Sequence, residues 1–381
     1  MSVYDVDVLV VGSGPAGATT ARYAAQGGLR VLLVDKKSEL GTPVECSGAL
    51  SEHALEDGGV PLDEEYILAP VYGFVTYAAG GEQIRHDYRS YGRRTALGYV
   101  VDRKRFDRYL SSLASDAGAE VWLRSKVHGY IIEDERIYAR IERLGQQQTV
   151  RTRVVVGADG VMSQVALWAG LSPAVRLQDM ASCLQYVVNN VETEGLLEII
   201  VGQAHAPGGY VWVFPKGGSY AEVGLGVIRT MTKQDAHCHL ERFMRESFMR
   251  ERFVRANLLE VQGGGVPLAA PLKKLVASHV MLVGDAGRQV NPLTGGGLHT
   301  ALRGGRLAGE YLASLGDNLV GGLEQLRGYQ EQWFSRIGND LTDLYHQRVA
   351  IFGERNVARR DALLFETLGN YFNPGSKYRK V

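Results

Sequence analysis

Three turns pair glycines with an acid. The first, Gly12-x-Gly14-x-x-Gly17, follows an apolar run from Val6 to Val11 and opens a helix from Ala16 to Ala25. Gly12 permits a tight turn, Gly14 lets a pyrophosphate approach the backbone, and Gly17 lets helix and strand pack closely. The helix N-terminus turns free N–H groups and a positive dipole toward phosphates. Asp35 ends the next strand, Arg30 to Val34, where its carboxylate can accept hydrogen bonds from an adenosine ribose. This is dinucleotide chemistry, and it does not by itself separate FAD from NAD. A late pair of turns does. Val283-Gly284-Asp285-Ala286 ends a strand, and Thr294-Gly295-Gly296-Gly297 opens a helix to about Leu315. A nicotinamide-only domain requires no such pair. In a flavin site Asp285 can bind the ribityl chain. The helix start at Gly296 and Gly297 can aim its dipole at the pyrimidine edge of the ring, where reduction builds negative charge. Gly157-Ala158-Asp159-Gly160 is the third turn and makes Asp159 a further cofactor candidate. The cofactor read from these residues is FAD.

A second group speaks to the substrate. Tyr210, Trp212 and Phe214 alternate along one apolar strand, so their rings fall on one face and Val211 and Val213 on the other. A wall of three rings can line a path for a long apolar chain, and its π faces can stabilise nearby positive charge. The same spacing also suits a sheet face packed in a core. His237-Cys238-His239 is short of a metal site, because residues two apart do not share a helix face. It reads as a solvated polar segment.

The elements that must hold these residues divide the chain. Residues 1–70, 98–175 and 275–318 form a discontinuous Rossmann-like FAD-binding domain of α/β class. Residues 71–97 and 176–274 form an inserted antiparallel β-rich (α+β) substrate domain. Residues 319–381 form a C-terminal helical segment. Within the insert, Gln185 to Val188, Glu198 to Val201, Tyr210 to Phe214 and Glu222 to Ile228 alternate with a period near two. The 381 residues are 45% hydrophobic and 22% charged, an ordinary folded composition. Basic and acidic residues both number 42, which leaves no electrostatic case for nucleic acid. Three scattered cysteines, Cys46, Cys183 and Cys238, point to a reducing cytoplasm. The chain enters a strand at once, so no signal peptide is expected, and no run of about 18 apolar residues suggests a membrane span.

With those motifs in place, the sequence resembles the geranylgeranyl reductase family of flavoproteins, within the larger p-hydroxybenzoate hydroxylase-type group. The likeness covers about residues 4 to 315. It is carried by Gly12 to Gly17, Pro43-Val44-Glu45-Cys46-Ser47-Gly48-Ala49-Leu50, Gly209-Tyr210-Val211-Trp212-Val213-Phe214-Pro215, and Gly284-Asp285-Ala286 with Thr294 to Gly297. The Y-x-W-x-F-P strand is the most family-specific piece, and the pattern is most similar to archaeal members acting on digeranylgeranylglycerophospholipids. Asp35 stands where a glutamate is commoner, and the loop runs on from Cys46 as Ser-Gly-Ala. The resemblance implies that Arg103, Ala16, Val127 and Leu298 line the FAD and that the Cys46–Ser47 loop lies against it, making Cys46 a candidate to shape the site or relay a proton. It implies a catalytic set of Cys46, Tyr210, Trp212 and Phe214, and FAD-dependent saturation of C=C bonds in geranylgeranyl chains. The implied partners are a polyprenyl lipid substrate and an electron donor, whether reduced ferredoxin, a deazaflavin or NAD(P)H. The implied place is the cytoplasm with peripheral contact at the inner face of the membrane. Lys377, Arg379 and Lys380 could touch lipid headgroups. Rival readings are a flavin monooxygenase of the same fold, a reductase of geranylgeranyl diphosphate, a menaquinone side chain or a chlorophyll precursor, and a redox-silent prenyl carrier.

Overall fold

The computed structural model describes residues 3–171 and 175–371. Lys377, Arg379 and Lys380 lie outside the described residues.

Six strands make the nucleotide sheet, in the order Val276–Ala277, Val280–Leu282, Val154–Gly157, Val8–Val11, Val31–Val34, Glu120–Trp122. All neighbours are parallel except the Val276–Ala277 edge. The three central strands are buried throughout, which explains their unbroken Val/Leu runs. Helix Pro15–Gln26 covers this sheet and packs against helix Leu298–Leu315. The two backbones meet through Gly305 and Gly309. A Cβ on Gly305 would sit 2.5 Å from Ala16 O, and one on Gly309 would sit 2.6 Å from Thr20 O. That close approach ties the first turn of the chain to the late one.

Four strands, Val3–Asp5, Gln146–Thr152, Arg136–Arg143 and Ser125–Glu133, form a separate sheet beside this one. A three-stranded sheet of Ala49–Ser51, Gly98–Val101 and Ile67–Val71 carries the end of the Cys46 loop.

The remaining sheet has seven strands, ordered Asn257–Pro267, Met180–Asn189, Ala221–Ile228, Tyr210–Pro215, Leu196–Val201, Gly73–Tyr77, Gln83–Asp87. The expectation of an antiparallel sheet needs correction at one pair, since Leu196–Val201 runs parallel to Gly73–Tyr77. The two strands come from separate passes of the chain, so no hairpin constrains them. One face of this sheet, with Val211, Val213, Val223 and Leu225, packs on Leu240 and Phe243 of helix Ala236–Glu246. The other face carries Trp212 and Phe214 into the core shared with the nucleotide sheet. The C-terminal segment is several helices, Leu323–Trp333, Asn339–Gly353 and Val357–Tyr371, the first two joined by a π-helical turn at Phe334–Gly338. No helix among the described residues is long and apolar enough to cross a membrane.

Candidate cofactor and substrate site

Each glycine of the first turn answers a different constraint. Gly12 has φ +105°, and a Cβ on it would lie 2.3 Å from Ala158 O. A Cβ on Gly17 would lie 1.9 Å from Gly12 O. Both are forced by packing. Gly14 is not: its backbone is extended and a Cβ would meet nothing within 4 Å. What its missing side chain leaves is space in front of the helix, where Pro15–Gln26 starts with no side-chain cap and no acid in its first turn. Phosphate oxygens fit that combination of open space and free N–H groups. Asp35 is held in place by Ser13 N at 2.9 Å and Lys37 N at 2.9 Å. One bond to each oxygen leaves acceptor sites for ribose hydroxyls. Ala16 lies under Gly284, whose added Cβ would stand 2.8 Å from Ala16 Cβ.

The late turn forms the opposite wall. Asn291 Oδ1 accepts from Leu293 N at 3.0 Å and Thr294 N at 3.1 Å, and Thr294 Oγ1 accepts from Gly296 N at 3.2 Å. These bonds fold the loop so that Leu298–Leu315 begins at Gly297, again with no side-chain cap and no acid in the first turn. Asp285 faces this helix start, since a Cβ on Gly297 would lie 3.6 Å from its Oδ1. Burial pushes the Asp285 carboxyl up to about 6, while Arg103 pulls it down and Glu45 adds a smaller upward push. Part of its surface remains open although it sits deep in the molecule, as expected of a group lining a cleft.

Between these turns and the ring-bearing strand lies a face shared by both sheets. Arg103 forms a two-pronged pair with Asp107, at 3.0 Å from each oxygen. Burial disfavours the Arg103 charge, but Asp107 outweighs it, with a smaller contribution from Cys46, and the guanidinium stays protonated. Cys46 Sγ also accepts from Gly48 N at 3.4 Å. Tyr210 donates its hydroxyl to Thr294 O, which joins the aromatic strand to the late turn. Its ring meets Trp212 edge-on at 6.0 Å, and Trp212 meets Phe214 at 6.5 Å. The three rings share a face, and Trp212 and Phe214 are buried in core on it.

Cys46, Arg103, Tyr210 and Asp285, far apart in sequence, are thus brought to one place. Cys183 joins them, unforeseen in this role. It pairs with Gly226 in register, and burial pushes its thiol up to about 12, with Cys46 adding to the shift. Burial also raises the Tyr210 hydroxyl, with Cys183 and Cys46 contributing. Both groups keep their protons at neutral pH. A second unforeseen pair stands at the Phe214 end. Glu222, opposite Phe214 in register, is fully buried, and Lys216 Nζ lies 2.7 Å from its Oε2. Neither carboxylate oxygen gains a well-directed hydrogen bond there. Burial raises Glu222 against the downward pull of Lys216. Lys216 Nζ also reaches Ser47 O at 3.4 Å, pinning the Cys46–Ser47 loop to the aromatic strand.

Asp159 and the segment around His237 carry contacts that the spacing did not show. Asp159 spends its carboxylate on Ser163 Oγ at 2.5 Å, Gln164 N at 2.7 Å and Val165 N at 3.1 Å, so its side chain caps helix Gln164–Trp168 beneath Gly12. The segment around His237 is not wholly solvated. His237 and Cys238 are exposed, but His239 turns inward to Thr232 Oγ1 at 2.9 Å and Arg242 at 2.7 Å. Val127 pairs with Ile141 beside an irregularity in the Ser125–Glu133 strand, and Leu298 is buried at the first position of its helix.

An open glycine turn followed by Asp35, facing a second uncapped helix start beside Asp285, fits an FAD-dependent oxidoreductase. Comparison with known proteins agrees. Residues 7–175 match the FAD dependent oxidoreductase model and residues 179–266 match the geranylgeranyl reductase catalytic domain. The chain is 39% identical over 343 residues to a digeranylgeranylglycerophospholipid reductase of Methanosarcina mazei, covering 88% of this chain and 82% of that one. It is 38% identical to the protein of the same name from Methanothrix thermoacetophila, covering 88% and 84%. A geranylgeranyl bacteriochlorophyll reductase-like structure from Thermoplasma acidophilum superposes with TM-score 0.86 at 29% identity, over 97% of each chain. The flavin-dependent brominase Bmp2 shares the fold alone, at TM-score 0.73 and 18% identity over 96% of this chain and 93% of that one. The chain belongs to the geranylgeranyl reductase family.

Proposed function

We propose that this protein saturates the C=C bonds of geranylgeranyl chains, with the digeranylgeranylglycerophospholipids for which its relatives are named as the substrate class. The observation that carries this reading is the ring face of Tyr210, Trp212 and Phe214, tied to Thr294 at one end and, through Lys216, to Ser47 at the other. Residues 71–97 and 176–274 then act as the substrate domain over a cofactor domain built from 1–70, 98–175 and 275–318. FAD contacts fall to Gly12, Gly14, Ala16, Gly17, Asp35, Cys46, Ser47, Arg103, Val127, Gly284, Asp285, Gly296, Gly297 and Leu298.

An isolated trisubstituted double bond accepts hydride only as it gains a proton. Reduced FAD, when bound, supplies the hydride. The chain supplies the proton, a dry surface and a field. Of the thiols and hydroxyl on this face, only Cys46 has a cation within reach, Arg103. The proton on Cys46 Sγ passes to the less substituted carbon, and the charge left on sulfur faces the Arg103 guanidinium. Positive character building on the other carbon meets the π faces of Trp212 and Phe214. Tyr210 holds the strand against the late turn and keeps its own proton on Thr294 O. Electrons enter from an external donor of the ferredoxin, deazaflavin or NAD(P)H class, and the lipid is reached by peripheral contact with the inner membrane face.

The test is to reduce the holoenzyme anaerobically with dithionite, add a geranylgeranyl lipid, follow flavin absorbance and weigh the product. Return of the oxidised band with a gain of two hydrogens per double bond supports the reading. A flavin that stays reduced until oxygen is admitted sinks it.

A further inference from the structure

Beside the late turn, three arginines lie near one carboxylate. Arg176 Nη2 lies 2.7 Å from Asp179 Oδ2 and donates to Tyr345 Oη at 2.9 Å. Tyr345 donates in turn to Asp179 Oδ1 at 3.5 Å. Arg288 and Arg348 both sense Asp179 and Tyr345. Arg348 is the unusual member. It is only 5% exposed, yet its contacts are the Gly208 carbonyl at 3.4 Å and the Phe352 ring at 4.4 Å. Among the described residues no carboxylate lies within ion-pair distance of it. Burial pushes Arg348 down to about 10, with Asp179 and Tyr345 opposing too weakly to restore it. A buried guanidinium is costly unless an anion meets it.

The location gives this cluster its meaning. Gly208 precedes Tyr210 by two residues, and Asp179 borders the strand that carries Cys183. Arg288 follows Asp285 by three and donates its N–H to Asp285 O at 3.0 Å. The cluster therefore stands at the Tyr210 end of the ring face, opposite the Lys216–Glu222 pair. Arg176, with 63% of its side chain exposed, opens it to solvent.

We infer that Arg176, Arg348 and Tyr345, with Arg288 beside them, form a receptor for a phosphate group at the polar end of the prenyl chain. The guanidinium forks match phosphate oxygens, and Tyr345 steadies Arg176 by accepting its N–H. This rests on the prenyl reading above for the identity of the tail. A glycerophosphate headgroup and a prenyl diphosphate both carry the required group.

The experiment uses holoenzyme and three substrates: digeranylgeranylglyceryl phosphate, geranylgeranyl diphosphate, and digeranylgeranylglycerol without phosphate. Arg348→Gln and Arg176→Gln are compared with the parent and with Arg245→Gln, a distant exposed control. Flavin content reports that each variant is folded. Losing one charge-assisted contact raises KM for a phosphorylated lipid relative to the neutral one by about ten- to a hundredfold, with kcat little changed. A response confined to the glycerolipid supports a headgroup receptor, and one shared with the diphosphate supports a general prenyl-phosphate receptor. If both variants keep the parental KM ratio for both lipids, the receptor is refuted. Titration of parent and Arg348→Gln with glycerol phosphate runs in parallel. A parent that reduces no prenyl lipid but binds glycerol phosphate through Arg348 overturns the substrate reading and keeps the receptor. Absence of both overturns both.

Discussion

Replacing Gly14 and Gly17 by alanine separates binding from folding within one turn. At Gly17 the new Cβ would stand 1.9 Å from Gly12 O and 2.9 Å from Ala158 Cβ. The first partner is backbone, so the helix must move off the sheet, at a cost of about 1–3 kcal/mol or more. At Gly14 the new Cβ meets nothing, and φ −80° with ψ −178° is open to alanine. Restricting the unfolded chain gains about 0.4–1 kcal/mol, and losing glycine at an N-cap costs a comparable amount, about 0.5–1 kcal/mol. The two nearly cancel, so the Gly14→Ala apoprotein melts within about 2 °C of the parent. Its FAD affinity nevertheless falls, because the methyl occupies the space through which phosphate oxygens reach the helix N–H groups. Loss of one charged hydrogen bond weakens binding by about ten- to a hundredfold. The assay is deflavination, scanning fluorimetry of the apoprotein, and titration with FAD by quenching of its fluorescence. Gly17→Ala should lose both apo stability and FAD; Gly14→Ala should lose FAD alone. A Gly14→Ala protein that binds FAD like the parent would refute the assignment of this space to the pyrophosphate.

Three further outcomes follow from the site. Because burial raises Asp285 to about 6 from 3.8, the folded apoprotein holds this proton more tightly than the unfolded chain, and stability drops as pH rises through that window. Asp285→Asn should therefore be more stable than the parent above pH 6 by up to about 3 kcal/mol, with the gap closing toward pH 4 and with weaker FAD binding; a pH-independent gap in paired melting curves would contradict this. Cys46→Ser should retain flavin but slow single-turnover reoxidation by prenyl lipid at least about tenfold, within the usual range for proton-transfer groups; unchanged turnover and product pattern would remove Cys46 from proton transfer. Lys216→Met strands Glu222 and should cost about 3–5 kcal/mol, whereas Lys216→Met with Glu222→Leu should recover most of it; chemical denaturation that finds the double variant as unstable as the single would show that the pair is not the source.

What could be read from the sequence was whatever a local pattern encodes. The Gly12–Gly17 turn, Asp35 and the parity of Tyr210, Trp212 and Phe214 each depend on neighbours within a few positions, so spacing alone exposes them. Strand register is different. Cys183 reaches the shared face because it pairs with Gly226, and Gly224 is glycine because a Cβ there would lie 2.5 Å from the Trp212 ring. Nothing within ten residues of either signals this. Gly263-Gly264-Gly265 is strand within Asn257–Pro267, and a Cβ on Gly264 would lie 3.0 Å from Glu45 Cβ of the cysteine loop. At Asp159 the limit is of another kind. A glycine-acid turn after a buried strand looks the same whether its carboxylate faces a ligand or caps the next helix, and only the positions of Gln164 N and Val165 N decide.

The insertion of one domain within the other follows from the same geometry. A nucleotide sheet alone offers Asp285 and a helix start, both turned toward space the sheet cannot close. The second sheet closes it by two polar attachments, Tyr210 to Thr294 and Lys216 to Ser47, at opposite ends of one ring-bearing strand. Both attachments end on backbone carbonyls, which fixes the distance of the strand from the two turns. Thr294 belongs to the late turn and Ser47 to the loop before strand Gly73–Tyr77, so the ring-bearing strand is held by segments that precede and follow it in the chain. The discontinuity of the chain is the means by which one strand of rings is held against two distant turns.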